Sequence, residues 1–353
     1  MSNDRRYMER ALALARHGTG WTTPNPLVGC VLVRDGAILA EGWHRRLGDL
    51  HAERAALQAV DFRAEGATAY VTLEPCCHHG RQPPCTEALL EAGVSRVVVA
   101  MVDPDERVSG RGIAQLRAAG VEVEVGLAEA EARRLNAAFV SARERGRPLV
   151  VLKAGVTLDG RIASADGESK WITGPAARAR GHALRHALDA ILVGANTLRE
   201  DDPGLDTRLP DGRGSNAVPV VLDSGLSIRG DAKVLRAGAR PVVFCATHAP
   251  ERDLPADVIR VPHGPDGLDL GAVLAALQAR GIQSVLVEGG ARVHRSFLDA
   301  GLVDRIHLFV APRVLVSGPG WVAGAGFPLA NAPAFRLIET RIVGDDAELV
   351  MEA

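Results

Sequence analysis

A histidine, an acid and two cysteines pose the chemical question in this chain. His51 and Glu53 are one residue apart, Pro75-Cys76 follows, and Cys85 comes next. One imidazole and two thiols are ligands zinc takes. Three protein ligands leave the fourth tetrahedral position for water, so such a site is catalytic in type rather than structural. Zinc lowers the pKa of that water to about 7. Glu53 is not needed as a ligand, and its carboxylate can carry a proton from the water to a departing amine. These are the parts of a zinc-activated hydrolytic deamination.

The order follows the H-x-E and P-C-x-x-C signature of zinc nucleobase deaminases, with one departure. Residues 77–84 separate the two cysteines, where the signature has two residues. The insertion reads Cys77-His78-His79-Gly80-Arg81-Gln82-Pro83-Pro84, and its prolines and glycine make it a loop rather than a helical turn. It adds Cys77, His78 and His79 as further candidate ligands. Cys76 is preferred because Pro75 precedes it as in the signature. Cys85 is preferred because a helix-forming run, 86–90, follows it, and a thiolate is favoured at a helix N-terminus. His78 and His79 stay open between lining a substrate and facing solvent. A purely structural zinc site would explain neither His-x-Glu nor the polar loop.

These residues need a scaffold. Residues 7–16 read as an amphipathic helix, 28–33 and 38–42 as strands joined by Asp35-Gly36, and 51–60 as a helix with His51 at its start. A strand over 69–73 delivers Pro75-Cys76, and a helix over 86–92 begins beside Cys85. A strand over 96–100, a helix over 111–119 and a strand over 121–125 follow. Two helix starts are thus expected to converge on one metal from the same side of a sheet. A single long helix is expected over 127–145, ended by Arg145-Gly146-Arg147-Pro148, which sets a boundary between domains 1–146 and 147–353.

Beyond it a second alternation predicts strands at 149–153, 190–193, 218–222, 241–245, 257–261 and 284–288, with a closing strand at 305–310. Helices are predicted at 176–188, 270–280 and 292–300. The reading is a mostly parallel sheet with helices on both faces. Glu288-Gly289-Gly290-Ala291 ends a strand and opens a helix, which suits a phosphate and equally a tight turn. It is not the G-x-G-x-x-G fingerprint. Lys153, Asp159, Ser169, Trp171, Thr173, Arg185, Thr197, Asp201, Asp202 and Arg208 fall at the ends of apolar runs, where open α/β sheets hold ligands. From the residues alone, the second domain binds a phosphorylated ligand.

The composition narrows the partners. The chain has 353 residues, 47% of them hydrophobic, with a net charge of −2 and 4% aromatic residues. That suits two ordinary domains and offers neither a basic face for nucleic acid nor the aromatics for base stacking. Five cysteines, three of them clustered with histidines, read as metal chemistry in a reducing compartment. The charged N-terminus lacks a secretory apolar core, and no run approaches the roughly 18 apolar residues of a spanning helix. The expected location is the cytoplasm. Two alternatives stand beside a small-molecule enzyme. One is a deaminase of nucleic-acid bases or nucleosides with an accessory nucleotide-binding domain; the other is a zinc-stabilised scaffold.

The chain resembles the bacterial bifunctional riboflavin-biosynthesis deaminase–reductases over nearly its full length. The resemblance rests on Thr23-Pro24-Asn25-Pro26-Leu27-Val28-Gly29, His51-Ala52-Glu53 and Tyr70-Val71-Thr72-Leu73-Glu74-Pro75-Cys76 with the loop to Cys85. In the second half it rests on Lys153, Leu158-Asp159-Gly160-Arg161, Gly167-Glu168-Ser169, Trp171-Ile172-Thr173, Asp201-Asp202-Pro203 and Val287-Glu288-Gly289-Gly290. The long loop between the thiols is the form this family uses. The resemblance implies an α/β fold with an N-terminal cytidine-deaminase-like three-layer domain and a C-terminal dihydrofolate-reductase-like domain. It implies removal of an amine from a phosphorylated pyrimidinone, then reduction of its ribosyl chain by NADPH. It implies zinc on His51, Cys76 and Cys85, Glu53 as proton shuttle, and Asn25 on the ring. It implies substrate contacts at Lys153, Ser169, Arg185, Leu205, Arg208 and Glu288. NADPH contacts are implied at Gly155, Trp171, Thr197, Asp201, Ser224, Gly290, Ala291, Arg292, Val293, His294, Arg295 and Ser296. A homo-oligomer, dimer or tetramer, is expected, with no nucleic acid or membrane partner.

Overall fold

Short β-branched runs build the sheet that carries the first site. The computed structural model describes residues 3–80, 82–264 and 267–353; Arg81 of the inter-thiol loop lies outside the described residues. The chain divides into two units, Met1–Gly146 and Arg147–Ala353. In the first, β1 (Gly29–Arg34), β2 (Ala37–Trp43), β3 (Thr68–Val71), β4 (Arg96–Val99) and β5 (Glu122–Val125) lie in the order β2-β1-β3-β4-β5. β1 runs antiparallel to β2 and β3, and β3, β4 and β5 are parallel.

The period of two sends alternate residues to opposite faces. Cys30, Leu32, Ala69, Val71, Val97 and Val99 pack with α2 (Ala52–Gln58), α3 (Cys85–Glu91) and α4 (Arg111–Ala118). Val31, Val33, Tyr70 and Val98 face α1 (Asn3–Ala15) and α5 (Glu129–Leu135). The result is a three-layer helix–sheet–helix sandwich in which α2 and α3 share one face. Gly42 lets α2 lie close on β2, since a Cβ there would stand 2.4 Å from the Ala52 carbonyl oxygen.

One expectation fails here. The long helix over 127–145 is broken at Asn136 into α5, α6 (Ala137–Val140) and a wider turn, Ser141–Arg145. The Asn136 amide is buried and turns to the backbone of Leu27, accepting from its N–H at 2.7 Å and donating to its carbonyl at 2.9 Å. That pairing, across 109 residues of sequence, outweighs helix continuity and pins the loop that carries Asn25.

The second unit holds a nine-stranded sheet. Its members are β6 (Leu149–Thr157), β7 (Ala190–Gly194), β8 (Val218–Leu222), β9 (Val242–Ala246) and β10 (Asp257–Val261), then β13 (Ser284–Val287), β14 (Arg305–Ala311), β15 (Arg336–Val343) and β16 (Asp346–Glu352). A separate hairpin pairs β11 (His263–Gly264) with β12 (Gly267–Leu268). The sheet order is β10-β9-β8-β7-β13-β6-β14-β16-β15. All neighbours from β10 to β14 are parallel, and β16 and β15 add antiparallel pairs. One face packs under α9 (Leu270–Gln278) and α10 (Ala291–Asp299). The other packs under α8 (Ala195–Asp201) and residues 226–235. α7 (Pro175–Ala187) starts on a proline, which suits a first helical turn.

β14 is therefore not the closing strand that the sequence led us to expect. β15 escapes a pattern reading because most of its residues are exposed and charges interrupt its apolar residues. α8 escapes because its seven residues are mostly polar.

Candidate functional sites in the two units

His51 is the N-cap of α2 and Cys85 the first residue of α3, with Pro84 as that helix's N-cap. Cys76 lies in the loop beyond β3. The Cys85 N–H donates to the Cys76 sulfur at 3.4 Å, and the Thr86 N–H donates to the Cys76 carbonyl. These bonds tie the loop to the helix start. His51 Nδ1 lies 3.6 Å from Cys76 Sγ and 3.3 Å from Cys85 Sγ. Ligand atoms of all three residues fall within 4.8 Å of one another, and they form the one such group among the described residues.

The donor set fits zinc. Tetrahedral zinc–sulfur and zinc–nitrogen bonds imply a sulfur–nitrogen separation of about 3.6 Å. The hydrogen bond from Cys85, and then His51, hold the Cys76 thiol down, while that same contact and burial push Cys85 up. A metal would draw both into the thiolate form. Cys77 stands outside the group, and burial followed by Glu74 raises its thiol pKa.

Glu53 is buried, and burial, then Cys76, raises its pKa while His51 opposes. It lines a cavity of about 460 Å³ with Asn25, His44, His51, Cys76 and His78. His44 was not singled out in the sequence. Its Nδ1 faces the Leu50 carbonyl at 3.0 Å, and its Nε2 faces Asn25 Nδ2 at 3.1 Å. A carbonyl only accepts, so Nδ1 carries the proton; burial lowers the pKa and favours the neutral ring. Nε2 then accepts from the Asn25 amide, which leaves the Asn25 carbonyl oxygen as an acceptor for a ligand N–H.

Asp103, Asp105 and Arg107 also line this cavity. Their loop is held by buried Glu74, which accepts from the N–H groups of Asp103, Gly110, Gly112 and Ile113 at 3.2, 2.8, 2.9 and 3.2 Å. A polar residue just past the apolar run 97–102 was the available signal for Asp103.

In the second unit, Lys153 on β6, Arg185 on α7 and Glu288 after β13 come together. Arg185 grips Glu288 with two parallel bonds, 3.0 and 2.8 Å, and Lys153 Nζ stands 4.0 Å from the same carboxylate. Burial pushes Glu288 up, but Lys153 and then Arg185 hold it down at about 2. Arg185 also donates to the Asp206 carbonyl at 2.9 Å. Arg208 is exposed and bonds to Asp206 and to His182, so it offers a freer fork than Arg185. Leu205, by contrast, has its side chain in the core.

The expected cofactor residues gather along strand ends. Gly155 faces Thr173, since a Cβ there would meet the threonine methyl at 3.1 Å. Trp171 is 61% exposed, with the Arg178 guanidinium over its ring. Thr197 and Asp201 lie on α8 after β7, and Ser224 is exposed just after β8. Gly290 caps α10, and a Cβ there would meet only Thr197 Oγ1, at 3.6 Å. Bare backbone beside a helix start fits the pyrophosphate of a dinucleotide. The α10 run divides: His294 is buried on the Trp321 carbonyl, Arg295 pairs with Asp299, and Ser296 bonds the Arg292 carbonyl. Ala291, Arg292 and Val293 form the first turn. Ser169 is partly exposed.

Comparison with known proteins covers both units. Residues 1–101 match the cytidine and deoxycytidylate deaminase zinc-binding region, and residues 148–349 match the RibD C-terminal domain. The riboflavin biosynthesis protein RibD of Actinobacillus pleuropneumoniae is 42% identical, over 96% of this chain and 93% of its own. The diaminohydroxyphosphoribosylaminopyrimidine deaminase/5-amino-6-(5-phosphoribosylamino)uracil reductase of Thermotoga maritima is 36% identical. Its structure superposes with a TM-score of 0.90, covering 99% of this chain and 98% of its own. Acinetobacter baumannii RibD gives 37% identity and a TM-score of 0.91 with the same coverage.

Proposed function

The chain belongs to the RibD family of riboflavin-biosynthesis proteins, and from that premise we propose that Met1–Gly146 deaminates and Arg147–Ala353 reduces. The enzyme is bifunctional and acts on a phosphorylated pyrimidine, with zinc and NADPH as cofactors. It removes an amine from 2,5-diamino-6-ribosylamino-4(3H)-pyrimidinone 5′-phosphate, then reduces the ribosyl chain to ribityl. Relatives that align along nearly their whole length in both halves favour this reading over a nucleic-acid deaminase with an accessory domain.

The convergence of His51, Cys76 and Cys85 beside a buried carboxylate carries the first half of the reading. Those three residues would hold the metal, which would supply the Lewis acidity that makes water a nucleophile near neutral pH. Glu53 would hold and move the proton at its carboxylate, from the attacking water to the departing amine. Its raised pKa brings it closer to the working pH, which suits both transfers. Asn25, its amide turned by His44, accepts from a ring N–H and fixes the pyrimidine.

In the reductase half NADPH supplies the hydride. Glu288 keeps Lys153 and Arg185 compensated in a buried setting, and Lys153 donates a hydrogen bond to the opening sugar. Ser169 adds a hydroxyl, Arg208 takes the substrate phosphate with its forked donors, and Leu205 contributes backbone. Gly155, Trp171, Thr197, Asp201, Ser224 and residues 290–296 line the dinucleotide. Arg208→Ala should raise the Michaelis constant of the reduction about 10- to 100-fold, the loss of a charge-assisted bond, and leave ammonia release intact. Equal loss of ammonia release would sink the assignment of separate sites to the two units.

Unpaired thiols at the metal site favour a reducing compartment, the cytoplasm. A net charge of −2 argues against nucleic acid as a partner, and no described helix is long and apolar enough to cross a membrane. Exposed Leu337 and Ile342 on the edge strand β15 favour a homo-oligomer.

A further inference from the structure

The second unit must tell NADPH from NADH, and the sequence shows no evident arginine for the 2′-phosphate. We propose that Arg199, positioned by Ser227 and joined by Ser224, reads that phosphate, an inference that rests on the cofactor site proposed above. Arg199 lies on α8, between Thr197 and Asp201, and is exposed. Its Nη1 donates to Ser227 Oγ at 3.1 Å, and its Nη2 donates to Asn196 Oδ1. The arginine thus reaches from the helix after β7 to the loop after β8. These strands are parallel neighbours, and in such sheets the ends of adjacent strands hold a dinucleotide.

Charge singles Arg199 out from the other cations of this edge. Lys170 pairs with Asp201, Lys233 with Asp202, and Arg229 with Asp202 and Asp231. Among the described residues Arg199 has no carboxylate within salt-bridge reach, and it donates to the neutral oxygens of Ser227 and Asn196. It is a cation awaiting an anion. The acid that would oppose a phosphate here is withdrawn: Asp223, just after β8, is buried, and accepts from Ser227 Oγ at 3.0 Å and from the Ile228 N–H at 2.7 Å. In NAD-binding sites an acid near this place accepts from the ribose 2′-hydroxyl, whereas an arginine accommodates the 2′-phosphate. With Asp223 turned inward, the loop offers the exposed Ser224 hydroxyl as a donor beside a forked guanidinium, while Ser227, whose proton goes to Asp223, accepts from Arg199 and holds it over the loop.

The bridge to Ser227 also allows a purely structural role, in which Arg199 staples the loop. The two roles separate in a binding titration of the zinc-loaded full-length protein with NADP+ and NAD+, and with 2′,5′-ADP and AMP as fragments. Arg199→Ala should weaken NADP+ and 2′,5′-ADP about 10- to 100-fold while NAD+ and AMP shift less than about threefold. Arg199→Lys should recover part of the loss, since a lysine keeps the charge without the fork. Parallel weakening of NADP+ and NAD+ would mean a staple, and unchanged NADP+ affinity would remove Arg199 from the site; either overturns the proposal. Wild-type protein that binds neither dinucleotide would instead overturn the cofactor site beneath it.

Discussion

Glu53→Gln is expected to keep its zinc and lose deamination by about 10²- to 10⁴-fold, the usual worth of a positioned general acid–base group. Glutamine fills the same buried space but cannot exchange a proton, so the fold and the metal should survive. The check is ammonia release beside metal content by mass spectrometry, with reduction of the pre-deaminated substrate followed separately. Loss of zinc in this variant would make Glu53 part of the metal's support. Retained turnover would remove it from the proton path.

Cys85→Ala and Cys76→Ala should each lose stoichiometric zinc, and deamination with it. Without the metal, water keeps a pKa near 15.7 and supplies almost no hydroxide at neutral pH. Cys77→Ala should keep zinc, because Cys77 stands outside the group formed by His51, Cys76 and Cys85. The contrast matters because the two neighbouring cysteines offer the same donor atom. The Pro75-Cys76 order favours Cys76 in the sequence, and the fold sends Cys76 toward His51 Nδ1. A full complement of zinc in Cys85→Ala would show that the inter-thiol loop supplies the ligand instead.

The first site was more legible in the sequence than the second, for a physical reason. Metal ligands and a proton carrier must be particular residue types, and His51, Glu53, Cys76 and Cys85 sit at ends of elements whose periodicity is plain. The supports around them were not legible. Asn136 breaks a helix for the sake of Leu27, Glu74 gathers four distant N–H groups, and His44 orients Asn25. Each is a polar side chain bonded to groups far off or in another element, and a local pattern carries no trace of such a bond.

The second site depends on resemblance more heavily. Arg185 and Glu288 look like independent ligand contacts in the sequence, yet they grip each other. Leu205 turns into the core. The final hairpin of the sheet was also hidden, because β15 leaves most of its residues exposed and an edge strand needs no continuous apolar run. The parallel core strands, buried on both faces, announced themselves as runs of valine, isoleucine and leucine.

The central claim is that one chain both deaminates and reduces one pyrimidine. The most direct measurement is the mass of the product after zinc-loaded protein is incubated with the diaminopyrimidinone ribosyl phosphate and NADPH. The expected product has exchanged an amine for oxygen and gained two hydrogens. A product unchanged in mass, from protein with full zinc content, would contradict the claim outright.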